Sequence, residues 1–140
     1  MQRSNLSGDE YAEAMSLYAR YNHASDTDNV EIFASCFTDR ASLINEHAGF
    51  VATGRDELMA LKRKAHTPPG EYRRHWNNNI YLEKAASDLI SGRCYLLVFG
   101  GKLGDPPRII ICGTYTDELT LTHNEWKFSK RRLFIDWGQF

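Results

Sequence analysis

Four long stretches of alternating polar and apolar residues fill the second half of this chain and set what it can fold into. They run from Tyr72 to Lys84, Leu89 to Gly100, Arg108 to Leu121 and Glu125 to Trp137, and only short turns separate them: Ala85-Ala86-Ser87-Asp88, Gly101 to Pro107, and Thr122-His123-Asn124. Alternation with a period of two is the signature of strands, and consecutive strands joined by short turns make an antiparallel meander. Upstream of Thr67-Pro68-Pro69-Gly70 the periodicity is helical instead. Tyr11, Ala14, Met15, Tyr18, Ala19 and Asn22 place a first helix over Gly8 to Ala24. Asp28 followed by Glu31 has capping-box spacing for a second helix, Asn29 to Phe37, which leaves Asp26 in the turn before it. Short strands at Ala41 to Asn45 and Phe50 to Thr53 precede a third helix that opens at Gly54-Arg55-Asp56, ends near Ala65 and carries a thin apolar stripe of Leu58, Met59, Leu61 and Ala65. Helices first and long strands after predict one α+β domain over residues 1–140, in which a strongly curved antiparallel or mixed sheet wraps three N-terminal helices as a cone-like roll.

Composition narrows the function. A chain of 140 residues with 42% apolar and 25% charged side chains can bury a core without a metal or disulfide staple, and its net charge of −1 gives no electrostatic case for nucleic acid or an anionic membrane. No apolar run is long enough to span a bilayer and no leader precedes the first helix. Cys36, Cys94 and Cys112 are odd in number and set among apolar neighbours, as reduced thiols are, which fits a cytoplasmic protein. Phosphate loops, dinucleotide fingerprints, nucleophile elbows, Cys-x-x-Cys and His-Glu-x-x-His are all lacking, and no histidines pair at ligand spacing. Neither a cofactor nor a metal is expected.

One strand is chemically unusual. In Arg73 to Lys84, alternation puts His75, Asn77, Asn79 and Tyr81 on one side and Trp76, Asn78, Ile80 and Leu82 on the other, so the polar face looks either at solvent or into a polar pocket.

Tyr115-Thr116-Asp117-Glu118, followed after a turn by Trp126-Lys127-Phe128-Ser129-Lys130-Arg131, resembles the hexachlorocyclohexane dehydrochlorinases, and the ending Asp136-Trp137-Gly138-Gln139-Phe140 resembles the scytalone dehydratases. Both are nuclear transport factor 2-like, or SnoaL-like, proteins with a curved-sheet cone, and the resemblance runs from about Tyr11 to Phe140. It implies a catalytic set of His75, Asp26 and Arg131. A carboxylate bonded to one imidazole nitrogen fixes the tautomer and frees the other nitrogen as a general base, so Asp26 would orient and His75 would take the proton. Tyr21, Asn22, Asn77, Cys94, Tyr95 and Tyr115 are the candidate substrate-binding residues.

The departures limit the substrate. The second pocket histidine of the dehydratases is Cys94 here, their two pocket tyrosines fall on Ser25 and Asn45, and the dehydrochlorinases' first-helix lysine falls on Tyr21. Neither family's own substrate is therefore expected. What the resemblance implies is a lyase or isomerase of a small apolar or cyclic organic molecule, with a non-catalytic alternative: a ligand-binding or structural subunit resembling the β subunit of ring-hydroxylating dioxygenases. The individual residues also have plainer readings. Asp26 could bond loop amides, Arg131 could lie on the solvated sheet face among Lys127, Lys130 and Arg132, and Cys94 could be a small core filler. Trp126, Phe128, Phe134 and Trp137 on alternating positions would offer apolar surface for a homo-oligomer, a trimer in preference to a dimer.

Overall fold

The computed structural model describes residues 6–139. Helix α1 spans Gly8–Asp26, α2 Val30–Ser35 and α3 Gly54–Lys64; the strands are β1 Phe37–Asn45, β2 Phe50–Thr53, β3 Glu71–Ala86, β4 Leu89–Lys102, β5 Arg108–Thr122 and β6 Glu125–Gly138. One six-stranded sheet has the order β2-β1-β6-β5-β4-β3, antiparallel except where β1 runs parallel to β6. This is the expected α+β architecture, with a mixed sheet curved over the helices.

Local chemistry explains the element ends. Ser7 and Glu10 close a reciprocal capping box on α1. At α2 the cap is Asn29, whose side chain accepts the Ile32 N–H, and not Asp28. Asp28 instead takes φ 55°, a left-handed conformation that aspartate tolerates, and its carboxylate turns away toward α3. The β5–β6 hairpin turns on His123 and Asn124, both at positive φ, the tight-turn geometry that matches sheet twist.

Several register shifts interrupt the sheet, and bulges in β3, β6 and β5 reassign its faces. Between the pairs Asn78–Tyr95 and Tyr81–Arg93 strand β3 carries one extra residue, with Asn79 at φ 55°. A one-residue insertion inverts the alternation downstream. His75 and Asn77 share one face, as the alternation predicts, and that face is the inner one, but beyond the bulge Ile80 and Leu82 turn in while Asn79 and Tyr81 turn out, the reverse of strict alternation. In β6 the pairs Leu119–Phe128 and Glu118–Lys130 leave Ser129 as the extra residue, so Trp126, Phe128 and Arg131 all point inward. In β5 the pairs Phe99–Ile109 and Val98–Ile111 leave Ile110 as the extra residue.

The core lies between α1 and the concave face of the sheet, around Tyr18, Tyr21, Phe33, Phe37, Leu119 and Phe128. Tyr18 and Phe128 meet edge to face with centroids 5.1 Å apart, a favoured aromatic geometry. Because Trp126 and Phe128 are core residues, the outer face exposes a different apolar set from the expected one: Trp76, Tyr95, Ile109, Phe134 and Trp137. No helix among the described residues is long and apolar enough to cross a membrane.

Candidate active site

Helix α1 ends at Asp26, where a carboxylate meets the negative end of the helix dipole, an unfavourable place for an unpartnered anion. Strand β3 supplies the partner. Asp26 Oδ1 lies 2.6 Å from His75 Nδ1, and both carboxylate oxygens accept the His75 backbone N–H at 3.2 Å. One side chain thus fixes both the strand and the ring. With Asp26 ionised, Nδ1 carries the proton it donates, so Nε2 is left with its lone pair.

His75 stands in the wall of two spaces. On one side is an apolar cavity of about 210 Å³ lined by Tyr21, Phe33, Leu43, Leu61, Val98 and Ile111 among others, with Ser25, Lys62, Thr67 and Arg73 as its polar members. On the other is a groove of about 320 Å³ between α1 and β3, where Asp26, Asn22 and Asn77 lie. Asn22 Nδ2 donates to Asn77 Oδ1 at 2.8 Å, and Asn77 Nδ2 donates to the Tyr95 carbonyl at 3.3 Å, so helix, strand and neighbouring strand are tied in series. This chain of donors leaves Asn22 Oδ1 buried with no protein partner.

The other expected site residues take different places. Tyr21 lines the apolar cavity. Tyr95 does not share an interior with Cys94: adjacent strand residues point to opposite faces, and Tyr95 is 60% exposed on the outer side of the sheet. Cys94 is buried, and desolvation, the largest effect on it, pushes its thiol up to about 12, a value at which it is an inert filler at neutral pH. Tyr115 is buried too, its hydroxyl pushed up first of all by burial.

Arg131 is neither on the solvated face nor among the residues that line the cavity. It is fully buried, paired through Nε and Nη2 with Asp117 at 2.8 and 3.1 Å, while Tyr18 donates its hydroxyl to the same carboxylate at 2.7 Å. Its guanidinium carbon lies 3.7 Å from the Tyr115 ring centroid, 4.2 Å from that of Phe128 and 4.5 Å from that of Tyr21, so one aromatic ring separates it from the cavity. Burial, the largest single effect, disfavours the cation, but the charge and hydrogen bonds of Asp117 together with Tyr115 and Tyr21 outweigh it and hold Arg131 well above the ordinary range. Desolvation raises the Asp117 carboxyl against the opposing pull of Arg131. The bidentate geometry and the Tyr18 hydroxyl are those of a carboxylate in an ion pair.

Sequence reasoning missed Lys62. It sits one turn beyond Leu58 and Met59 on the inward stripe of α3, only 4% exposed, and reaches Asp28 Oδ1 at 2.8 Å. A lysine in register with a buried stripe is the signal that could have found it. Asp28 also accepts the Thr67 N–H, and the lysine and amide bonds together hold its carboxyl below the usual value against desolvation, the largest single effect. Among the described residues no cluster of His, Cys, Asp and Glu could hold a metal ion.

A curved mixed sheet over three helices, with an apolar cavity whose wall holds His75 and a carboxylate bonded to that imidazole from the neighbouring groove, defines a cystatin-like α+β cone. A protein of unknown function with a cystatin-like fold from Nostoc punctiforme PCC 73102 superposes with a TM-score of 0.79 at 22% identity, over 94% of each chain. The chain belongs to the SnoaL-like domain family, whose model matches residues 8–132. A scytalone dehydratase-like protein of Novosphingobium aromaticivorans DSM 12444 has a TM-score of 0.81 at 22% identity, over 94% of this chain and 87% of that one. A hexachlorocyclohexane dehydrochlorinase (LinA) Type2 has a TM-score of 0.80 at 23% identity, over 94% of this chain and 88% of that one. The fold is thus shared with proteins named for dehydration and dehydrochlorination. No curated protein sequence matches the chain significantly.

Proposed function

We propose that the protein is a lyase or isomerase of small, mostly apolar cyclic or polyketide-like molecules, and that His75 is its general base. The observation that carries this reading is the 2.6 Å contact between Asp26 and His75, with His75 in the wall of an apolar cavity of about 210 Å³. Such a cavity suits a small organic molecule and little else. An acidic C–H bond breaks, its proton passes to His75 Nε2, and the electron pair left on carbon forms a new double bond. In an elimination a hydroxyl departs and takes the proton from the imidazolium as water; in an isomerisation the proton returns to a different carbon. Asp26 stabilises the imidazolium in between.

A screen of cyclic hydroxyketones and β,γ-unsaturated ketones tests the reading. Replacement of His75 by Ala is expected to cost roughly 10² to 10⁴ in rate, the worth of a general base. Turnover that survives the replacement removes His75 from that role.

The chain is also proposed to self-associate through the outer sheet face, as a trimer in preference to a dimer, because Trp76, Tyr95, Ile109 and Trp137 are each at least half exposed there. A monomer in sedimentation at micromolar concentration rules this out. A larger partner that co-purifies stoichiometrically would favour the non-catalytic subunit in its place.

A further inference from the structure

We infer that Lys62 is the donor that holds a carbonyl oxygen of the substrate, and hence that the cavity takes enolisable carbonyl compounds. This rests on the reading of His75 as the base and adds to it a second group and a substrate class.

An ammonium group carries three protons. Asp28 Oδ1 takes one at 2.8 Å and the Ala65 carbonyl a second at 3.3 Å; the third has no acceptor among the described residues. The side chain is 4% exposed, so bulk water does not readily serve that proton, and the wall it belongs to is otherwise built largely of Tyr21, Phe33, Leu61, Val98 and Ile111. A plain structural role, with the ion pair tying α3 to the α1–α2 turn, accounts for the bond to Asp28. It does not account for a cation placed in the wall of an apolar cavity that His75 also lines.

The chemistry of proton abstraction supplies the use. When the C–H bond next to a carbonyl breaks and His75 takes the proton, the electron pair moves into a carbon–carbon double bond and the carbonyl π electrons move onto oxygen. The resulting enolate carries its charge on that oxygen, where a preorganised donor in a water-poor site stabilises it most. The turn at residues 26–28 thus feeds both halves of the reaction: Asp26 orients the base on β3, and Asp28 holds the donor on α3.

1-Naphthol, whose ionised hydroxyl resembles an enolate and whose two forms differ in absorbance, is the probe. Titrated while bound to the wild-type protein, its hydroxyl should ionise at least about tenfold more readily than in water, one pH unit lower. Lys62→Met should abolish the shift and Lys62→Arg should keep part of it. The other charges near Lys62 are Asp28 and His66 on the turn side and Arg73, His75 and the Asp26 bonded to it on the cavity side; Lys64→Met, which removes an exposed cation of the same helix that does not line the cavity, serves as the control and should leave the shift in place. Naphthol that does not bind, that ionises as in water, or that keeps its shift in Lys62→Met overturns the inference; the wild-type titration decides it even where a variant fails to fold. Exchange of the α-hydrogens of 1-tetralone for deuterium separates the two layers. Exchange lost in His75→Ala but unchanged in Lys62→Met rejects the donor and keeps the base. Exchange that persists in His75→Ala rejects the reading beneath.

Discussion

Asp26 holds His75 at two points, accepting from the backbone N–H at 3.2 Å and from ring Nδ1 at 2.6 Å. The double contact separates position from protonation. In Asp26→Asn the amide oxygen can still accept the backbone N–H, but an amide nitrogen facing Nδ1 donates to it and moves the ring proton to Nε2, the atom that must be free. A rate loss on the order of 10² to 10⁴ with KM nearly unchanged is expected, because the tautomer changes and the cavity does not. Steady-state kinetics on an identified substrate check it; a rise in KM with kcat intact would mean that Asp26 only shapes the wall.

The Asp117–Arg131 pair is fully buried on both sides and also holds Tyr18. Removal of one partner from a buried pair leaves an uncompensated charge, at a cost of about 3–5 kcal/mol. Asp117→Asn should therefore lower Tm by on the order of 10 °C for a chain of this size. The double replacement Asp117→Leu with Arg131→Met should be milder than the single one, because it leaves no orphan charge. Calorimetry of the three variants decides, and equal destabilisation by single and double variants would deny the pair its role in the core.

Much of the fold is legible in the sequence, and the reason lies in particular elements. Strands β4, β5 and β6 begin at the expected residues and no end of β3 to β6 is more than two residues from its expected bound, because turns at Ser87-Asp88, Asp105-Pro106-Pro107 and His123-Asn124 interrupt clear alternation. What alternation cannot show is a bulge. One extra residue at Asn79 sends Tyr81 outward, and one at Ser129 brings Arg131 inward from a run, Lys130-Arg131-Arg132, that reads as a solvated face. The contact between Asp26 and His75 spans 49 residues of sequence. Periodicity carries no information about it, and only the resemblance implies it. Lys62 stayed hidden because a lysine is discounted on a buried stripe unless its acidic partner is known, and Asp28 reads as a helix cap until Asn29 is seen to fill that place.

The Asp28–Lys62 contact should be visible in the pH dependence of stability. The folded-state carboxyl of Asp28 is held below its ordinary value, so its contribution is complete above the unfolded value of about 4 and is lost as pH falls through the lower folded value. Asp28→Asn lacks that dependence. The difference in unfolding free energy between wild type and variant should be greatest near neutral pH and close in acid, below about pH 4. Comparing the two proteins cancels the opposite contribution of Asp117, whose carboxyl is raised by burial in both. Urea unfolding at a series of pH values measures it, and a difference that grows in acid would reverse the sign.

Gly92 on β4 faces the Tyr18 hydroxyl so closely that a Cβ there would lie 2.5 Å from Oη and 3.2 Å from a Leu82 methyl carbon. Gly92→Ala cannot be accommodated unless Tyr18 moves, and Tyr18 is one of the three donors to Asp117. Overpacking of this kind typically costs about 1–3 kcal/mol. Tyr18→Phe removes the clashing oxygen and also the hydrogen bond, leaving Asp117 with Arg131 alone. The two changes act on one contact, so they should not add: once the hydroxyl is gone, the alanine loses most of its cost, and a coupling of at least about 0.5 kcal/mol is expected, the range seen for residues that share a contact. Unfolding of wild type, both single variants and the double variant completes the cycle. Strict additivity would show that Gly92 is required for the backbone of β4 and not for the space it gives Tyr18.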